Sequence, residues 1–160
     1  AQPTEVHSFR WPDLDADGCT DMGKALSMLA SELREDKMPK RGLPPVLVLM
    51  TDGQPTDDFN SGLKELMDQP WGKKAVRIAV AIGEDADLDV LQKFIGNPEI
   101  KPLTASNVTD LVQKIKWAST VPLKAASNPA SRTPGSGSGG NVPIPAPPPN
   151  AGPATSEDVW

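Results

Sequence analysis

Acidic and hydroxyl residues surround a short apolar run in the stretch VLVLMTDGQPTDD, residues 46–58. The run ends at Thr51 and Asp52, and Asp57 and Asp58 follow after a turn rich in Gly and Pro. Ordinary turn chemistry explains why the run stops, but it does not explain so many carboxylates. Carboxylate and hydroxyl oxygens are ligands that hard cations such as Mg²⁺ prefer. The stretch therefore indicates a divalent-cation site.

Further acids lie on both sides of this stretch. They are Asp13, Asp15, Asp17 and Asp21 in DLDADGCTD, and Glu84, Asp85, Asp87 and Asp89 after the next apolar run. Carboxylates that gather at one place repel one another unless a positive charge lies among them. The alternative is that the loops of an acidic protein are simply acidic and solvated, and for residues 84–89 we favour that alternative.

Two familiar motifs are matched only in part. DLDADGCTDMGK begins as a calcium-binding loop does, but its twelfth position is Lys24, where a bidentate Glu should close the shell. GCTDMGKA imitates a phosphate-binding loop, but Ala25 replaces the hydroxyl residue that should hold Mg²⁺. Both motifs are therefore disfavoured.

The elements that would position these residues alternate along the chain. Apolar residues at helical spacing predict helices, whereas runs rich in Val and Ile predict buried strands. The predicted strands are 46–50, 75–82 and a brief one near 100–104. The predicted helix faces are Met22, Leu26, Leu29 and Leu33; Phe59, Leu63, Leu66 and Met67; Leu88, Leu91, Phe94 and Ile95 behind an N-cap at Asp87; and Val108, Leu111, Val112 and Ile115 behind Ser106 or Asn107.

This alternation predicts an α/β fold, an open and mostly parallel sheet with helices on both faces. Parallel strands place their carboxyl ends at one edge, where open α/β sheets bind their ligands. The loops after the first two strands therefore share an edge. The start of the first helix, near Thr20, faces the same edge if that helix packs as a crossover.

Composition excludes several classes of function. The 160 residues carry a net charge of −5 without a basic patch, which argues against nucleic acid as a partner. Every apolar run is too short to cross a bilayer, so we expect no membrane span. Cys19 is the single cysteine and His7 the single histidine, so Ser/His/Asp and Cys/His catalysis are poor hypotheses. One cysteine is compatible with a reducing compartment.

Three stretches in order, DGCTDMGKAL, VLVLMTDGQPTDD and VRIAVAIGEDAD, resemble the von Willebrand factor A domain, and most closely its bacterial TerY-like, tellurite-resistance-associated branch. The resemblance covers about residues 9–118. The metal-ion-dependent adhesion site of that family uses an Asp-x-Ser-x-Ser loop, a Thr at the start of a helix and an Asp after a strand. Thr20 matches the second of these and Asp52 the third. The plainer alternatives are that Thr20 is an N-cap and that Asp52 forms a turn.

The resemblance implies a protein-interaction module that binds Mg²⁺ or Mn²⁺, to which a partner protein contributes an acidic group. It further implies a cytoplasmic adaptor in a bacterial stress-response system with a Ser/Thr kinase or phosphatase, and no enzymatic activity. Two other classes remain open, a magnesium-dependent NTPase-like enzyme and a scaffold without a metal site.

One part of the family pattern is absent, since no Asp-x-Ser-x-Ser occurs in this sequence. We therefore expect the first strand, its metal loop and the first helix of the domain to be missing, which leaves an incomplete metal site. We also expect the Leu26, Leu29 and Leu33 face to lack a partner, so that the domain is only marginally stable.

The composition changes near Ser127, and two regions are predicted: a partial α/β domain over 1–125 and a disordered tail over 126–160. Residues 127–155 are rich in Pro, Gly and Ser and read as a linker, extended where prolines cluster. The chain closes on a short acidic and aromatic motif, Glu157, Asp158 and Trp160, which is a candidate partner motif or simply a disordered end.

Overall fold

The computed structural model describes residues 7–8, 10, 18–127 and 144–150. Five helices and three strands lie in this part of the chain. In chain order they are α1 (Met22–Glu32), β1 (Val46–Thr51), α2 (Phe59–Asp68), α3 (Pro70–Lys74), β2 (Val76–Ile82), α4 (Leu88–Ile95), β3 (Leu103–Ala105) and α5 (Val108–Ala126). The predicted α/β fold with a parallel sheet is confirmed.

The strands form a parallel sheet in the order β1-β2-β3. Val46 pairs with Val76 at one end of the β1–β2 ladder, and Thr51 pairs with Ala81 at the other. The short β3 pairs with the last part of β2. Helices connect the parallel strands, as such a sheet requires. The carboxyl ends of β1 and β2 therefore lie side by side.

The central strand β2 has different side chains on its two faces. Ala75 just before the strand, Ala79 and Ala81 lie on one face, which we call the crowded face, and they belong to a cluster with α1, α2 and α4. Val76, Ile78 and Val80 lie on the other, which we call the open face, and they belong to a cluster with α5. Alternation along a strand produces this division.

On the crowded face, α1 and α2 cross at two glycines. A Cβ atom built on Gly62 would lie 2.1 Å from the carbonyl oxygen of Gly23, so the two backbones are in contact. Leu26 and Leu33 are 3% and 6% exposed, in the cluster shared with α2 and α4. The prediction that this face of α1 lacks a partner is therefore wrong, because α2 covers it.

On the open face, α5 packs over the sheet but leaves part of β1 uncovered. Val48 and Met50 are 37% and 46% exposed, whereas Leu47 on the crowded side of the same strand is 8% exposed. Residues 144–150 also lie on this side, and Ile144 packs against the α5 cluster. These seven residues fall within the predicted linker; disorder of the tail as a whole stays a prediction.

Several boundaries, one helix face and one residue of another face, Leu88 at 48% exposed, differ from the predictions. The third strand is Leu103–Ala105 rather than 100–104, and α3 was not predicted. In α5 the buried residues include Asp110, Lys114 and Ala118, whereas Val108, Val112 and Ile115 are exposed. The predicted Val108, Val112 and Ile115 face is therefore wrong. The helix instead turns Leu111, Trp117 and Ala118 toward the sheet, and this orientation buries the charged pair beside them.

Candidate functional site

The candidate site lies at the carboxyl end of β1, where the following loop meets the start of α1. The backbone N–H of Thr56 donates to the carbonyl oxygen of Thr20 at 3.0 Å, which holds the two segments together. A Cβ atom on Gly53 would lie 3.4 Å from the Thr20 Oγ1 atom, so the hydroxyl faces this loop at close range. The structure thus brings Thr20 next to the residue that follows Asp52.

Asp57 caps α1 from a distance along the chain. Its Oδ1 atom accepts the Gly23 N–H at 2.8 Å, and its Oδ2 atom accepts the Lys24 N–H at 2.7 Å. The hydrogen bond from Gly23 first, and then that from Lys24, holds the pKa of Asp57 below its ordinary value of 3.8. Both bonds satisfy N–H groups that the first helical turn cannot satisfy itself.

Two other acids of the same edge also act as caps. Asp58 accepts the Ser61 N–H at 3.0 Å at the start of α2. Asp87 accepts the N–H groups of Asp89 and Val90 at 2.9 and 3.1 Å at the start of α4, which confirms the predicted cap. Negative charge at a helix N-terminus is favourable by itself. Three of the acids that suggested a cation, Asp57, Asp58 and Asp87, therefore have a structural role.

Thr20 and Asp52 take no part in this capping. The N-cap position of α1 is Asp21, and neither its side chain nor that of Thr20 forms a capping hydrogen bond. The turn after β1 is held by Thr51, whose Oγ1 atom accepts the Gly53 N–H at 3.2 Å. The two plainer roles considered for Thr20 and Asp52, N-cap and turn former, are thus filled by Asp57 and Thr51.

The chemistry of this pair fits a hard cation in part. A half-buried hydroxyl and an exposed carboxylate, Thr20 and Asp52, form no side-chain hydrogen bond with any described residue, so both remain available as oxygen ligands. Magnesium prefers six oxygens in an octahedron, and this pair supplies only part of such a shell. Within residues 18–127 and the shorter described stretches, no group of three or more His, Cys, Asp or Glu side chains could hold a metal.

The other predicted acids lie partly outside the part of the chain that the structure describes. Asp13, Asp15 and Asp17 lie outside the described residues. Glu84 and Asp85 are exposed on the loop after β2, in line with the solvated alternative that we favoured for residues 84–89.

The phosphate-binding alternative conflicts with the start of α1. A phosphate in such a loop would use the free N–H groups of the first helical turn. Here the Asp57 carboxylate already accepts the N–H groups of Gly23 and Lys24. An anionic phosphate would have to displace the Asp57 carboxylate, which is also negative, from these two N–H groups. This geometry argues against the NTPase-like reading.

The Asp57 cap was missed by sequence reasoning. Asp57 is 34 residues from Gly23, and local cap signals reach only three or four residues along the chain. The caps at Asp87 and Asn107 were found because each accepts from a residue at most three positions ahead.

No helix in the described part of the chain is long and apolar enough to span a membrane.

Comparisons with known proteins agree with this architecture. The sequence model of the von Willebrand factor type A domain matches residues 8–117. Inter-alpha-trypsin inhibitor heavy chain H6 of Homo sapiens is 31% identical to this chain over 88 residues. That stretch is 51% of this chain but only 7% of the human protein, so the chain spans a small fraction of this relative's length. No solved structure matches the chain.

Proposed function

The chain belongs to the von Willebrand factor type A family, and we propose that it acts as a metal-ion-dependent protein-interaction module. The family often mediates protein–protein interactions through metal-dependent sites, and its members are generally not enzymes. In this proposal Thr20 and Asp52 hold a Mg²⁺ or Mn²⁺ ion. When bound, the cation would supply a positive charge. An acidic group of a partner protein would then complete its shell of oxygen ligands.

One observation carries the proposal: helix capping and turn formation at this edge are done by the neighbours of Thr20 and Asp52, not by these two residues. Asp57 caps α1, and Thr51 closes the turn after β1. A hydroxyl and a carboxylate are thus left without a structural hydrogen bond among the described residues, although they lie on two segments that a backbone hydrogen bond joins. The absence of a Cβ at Gly53 keeps the space beside the Thr20 hydroxyl open.

The finer assignment rests on the resemblance to the TerY-like branch. We propose a cytoplasmic adaptor in a bacterial stress-response system, whose partner is a Ser/Thr kinase or phosphatase. Its support is the order and content of the three stretches DGCTDMGKAL, VLVLMTDGQPTDD and VRIAVAIGEDAD. Co-purification of the chain with such an enzyme, lost on chelation of divalent cations, is the result that this assignment requires.

Manganese binding tests the site itself. We expect Thr20→Ala and Asp52→Asn each to weaken Mn²⁺ binding about tenfold or more, because each removes one oxygen ligand or its charge from an already incomplete shell. Water-proton relaxation measures bound Mn²⁺ directly, at one fixed ionic strength so that screening stays constant.

The matched control is Asp85→Asn, which removes an exposed carboxylate on the neighbouring loop. It should leave Mn²⁺ affinity unchanged. Equal losses for Asp52→Asn and Asp85→Asn would instead indicate a diffuse acidic edge, and the proposed metal site would then be rejected.

A further inference from the structure

A groove on the open face of the sheet is lined on one side by the chain's own proline-rich segment. A cavity of about 540 Å³ remains between that segment and the other walls. One wall is the stretch before and within β3, residues 99–104, and another is α5, through Lys114 and Trp117. Residues 144–150, with the sequence IPAPPPN, lie against these walls. We call this feature the proline groove; it shares no residue with the Thr20 and Asp52 site.

The segment makes both apolar and polar contacts there. Ile144 packs against the cluster that contains Ile78 and Leu103. The Lys114 Nζ atom donates a hydrogen bond to the Pro148 carbonyl oxygen at 2.5 Å. Proline has no N–H, so its carbonyl is the one backbone group that the groove can recognise at that position. The Asn150 Nδ2 atom lies 3.4 Å from the Thr104 Oγ1 atom at the end of the segment.

Lys114 is unusual because its side chain is only 3% exposed. Its Nζ atom lies 3.6 Å from an Oδ1 atom of Asp110, whose side chain is completely buried. A buried ammonium group is costly unless acceptors surround it. The Pro148 carbonyl supplies such an acceptor, so the burial of Lys114 and the position of the segment support each other.

Trp117 gives the groove its second recognition element. The indole lines the groove, and its Nε1–H is buried without a hydrogen-bond acceptor among the described residues. Aromatic-lined grooves are sites that bind proline-rich peptides in the polyproline II conformation. Such a peptide is already extended, so it loses little conformational entropy on binding.

We propose that the proline groove is a binding site for proline-rich peptides and that residues 144–150 are its intramolecular ligand. This inference goes beyond the proposed metal-dependent interaction, because it concerns a different face and a different ligand chemistry. Residues 128–143 tether the segment to the end of α5, which gives it an effective concentration on the order of millimolar. A proline-rich peptide added in solution must compete with that tethered segment.

To release the segment from the groove, the full chain is given the triple substitution Ile144→Ser, Pro147→Gly and Pro148→Gly. A synthetic peptide with the sequence of residues 141–152 is then titrated into the variant and the unsubstituted chain by calorimetry. We expect the variant to bind the peptide at least tenfold more tightly, because the competing segment is gone. A peptide with alanine at every proline should bind neither chain. Equal affinity of the variant and the unsubstituted chain, or no binding to either, would overturn the proposal.

Lysine footprinting checks occupancy of the groove independently of the peptide. Reductive methylation followed by mass spectrometry should modify Lys114 slowly in the unsubstituted chain and at least tenfold faster in the variant. Lys116, exposed on the same helix, reports whether the helix itself has changed and should react equally in both. The control variant Pro129→Gly and Pro134→Gly alters the tail outside the segment and should leave Lys114 protected. Equal protection of Lys114 in all three chains would show that α5 alone buries it, against the proposal.

Discussion

The crowded and open faces of the sheet are built by different means. On the crowded face the central strand contributes alanines, and α1 and α2, which pack there with α4, approach closely enough for glycine backbones to touch. On the open face the same strand contributes Val76, Ile78 and Val80, and α5 packs there with a proline-rich segment. Small side chains thus permit dense helix packing, whereas the branched ones provide bulk where fewer elements cover the sheet. We therefore expect contacts on the crowded face to contribute more to the free energy of unfolding than contacts on the open face.

The largest effect is expected where two backbones meet on the crowded face. Gly62→Ala would place a methyl group 2.1 Å from the Gly23 carbonyl oxygen, so α1 and α2 would have to separate. We expect the free energy of unfolding to fall by about 3 kcal/mol. Denaturant unfolding measures this, with Asn60→Ala at an exposed position of α2 as the control. A loss no greater than the control's would mean that the helix contact is not tight.

A somewhat smaller effect is expected at Arg77, a charged residue of β2 on the crowded face. Its Nε atom donates to the Phe94 carbonyl oxygen at 2.6 Å, and its Nη1 atom donates to that of Gly72 at 3.1 Å. Burial lowers the pKa of Arg77, although a guanidinium remains charged at neutral pH.

Arg77→Met should lower the free energy of unfolding by about 2 kcal/mol, because both carbonyls lose a charged donor, although that of Gly72 keeps the Ala75 N–H. The matched control is Lys93→Met, at an exposed position of α4. Thermal unfolding of both variants separates the loss of these bonds from a general effect of removing positive charge. If Lys93→Met cost as much, the hydrogen bonds of Arg77 would not explain the result.

The third effect is pH-dependent and concerns the cap at Asp57. Because the folded protein lowers the pKa of Asp57 below 3.8, the unfolded chain binds more protons in acid. The stabilisation is complete above the unfolded pKa and is lost as the pH falls toward the lower folded pKa. Asp57→Asn should therefore make the free energy of unfolding depend less steeply on pH below about pH 4. Asp85→Asn should retain the steeper dependence; the same flattening in both variants would contradict the cap.

The smallest effect is expected on the uncovered part of the open face. Val48→Thr should change the free energy of unfolding by no more than about 0.5 kcal/mol, because Val48 is 37% exposed. Leu47→Ala, on the crowded side of the same strand, should cost about 2 kcal/mol or more. Urea titrations of the two variants measure the contrast between the faces directly. Similar losses would show that the open side of β1 contributes to the core as much as the crowded side.

Local patterns were sufficient to predict most of the elements. The apolar runs located β1 and β2, and Asp87 and Asn107 each marked the start of a helix by chemistry within three residues. The inward face of α5 could not be predicted in this way. A helical pattern favours burying Val108 and Val112, and only the tertiary environment of Lys114, with Asp110 and the Pro148 carbonyl, explains the observed orientation.

The candidate site was predictable to a different extent. Thr20 and Asp52 were identified by their resemblance to a family motif, and the structure brings their two segments together. That neighbouring acids serve as caps was predictable for Asp87 but not for Asp57, whose acceptor role depends on contact between distant segments. No local sequence pattern identifies the metal or the partner, so both stay proposals.

The remote cap also bears on the order of events during folding. α1 has 11 residues and no capping side chain of its own, and helices of that length are marginal in isolation. Its first turn is completed only once the loop after β1 has arrived with Asp57. The amide protons of Gly23 and Lys24 should therefore exchange with solvent only when α1 and that loop separate, so that their protection factors report the free energy of opening of the candidate site.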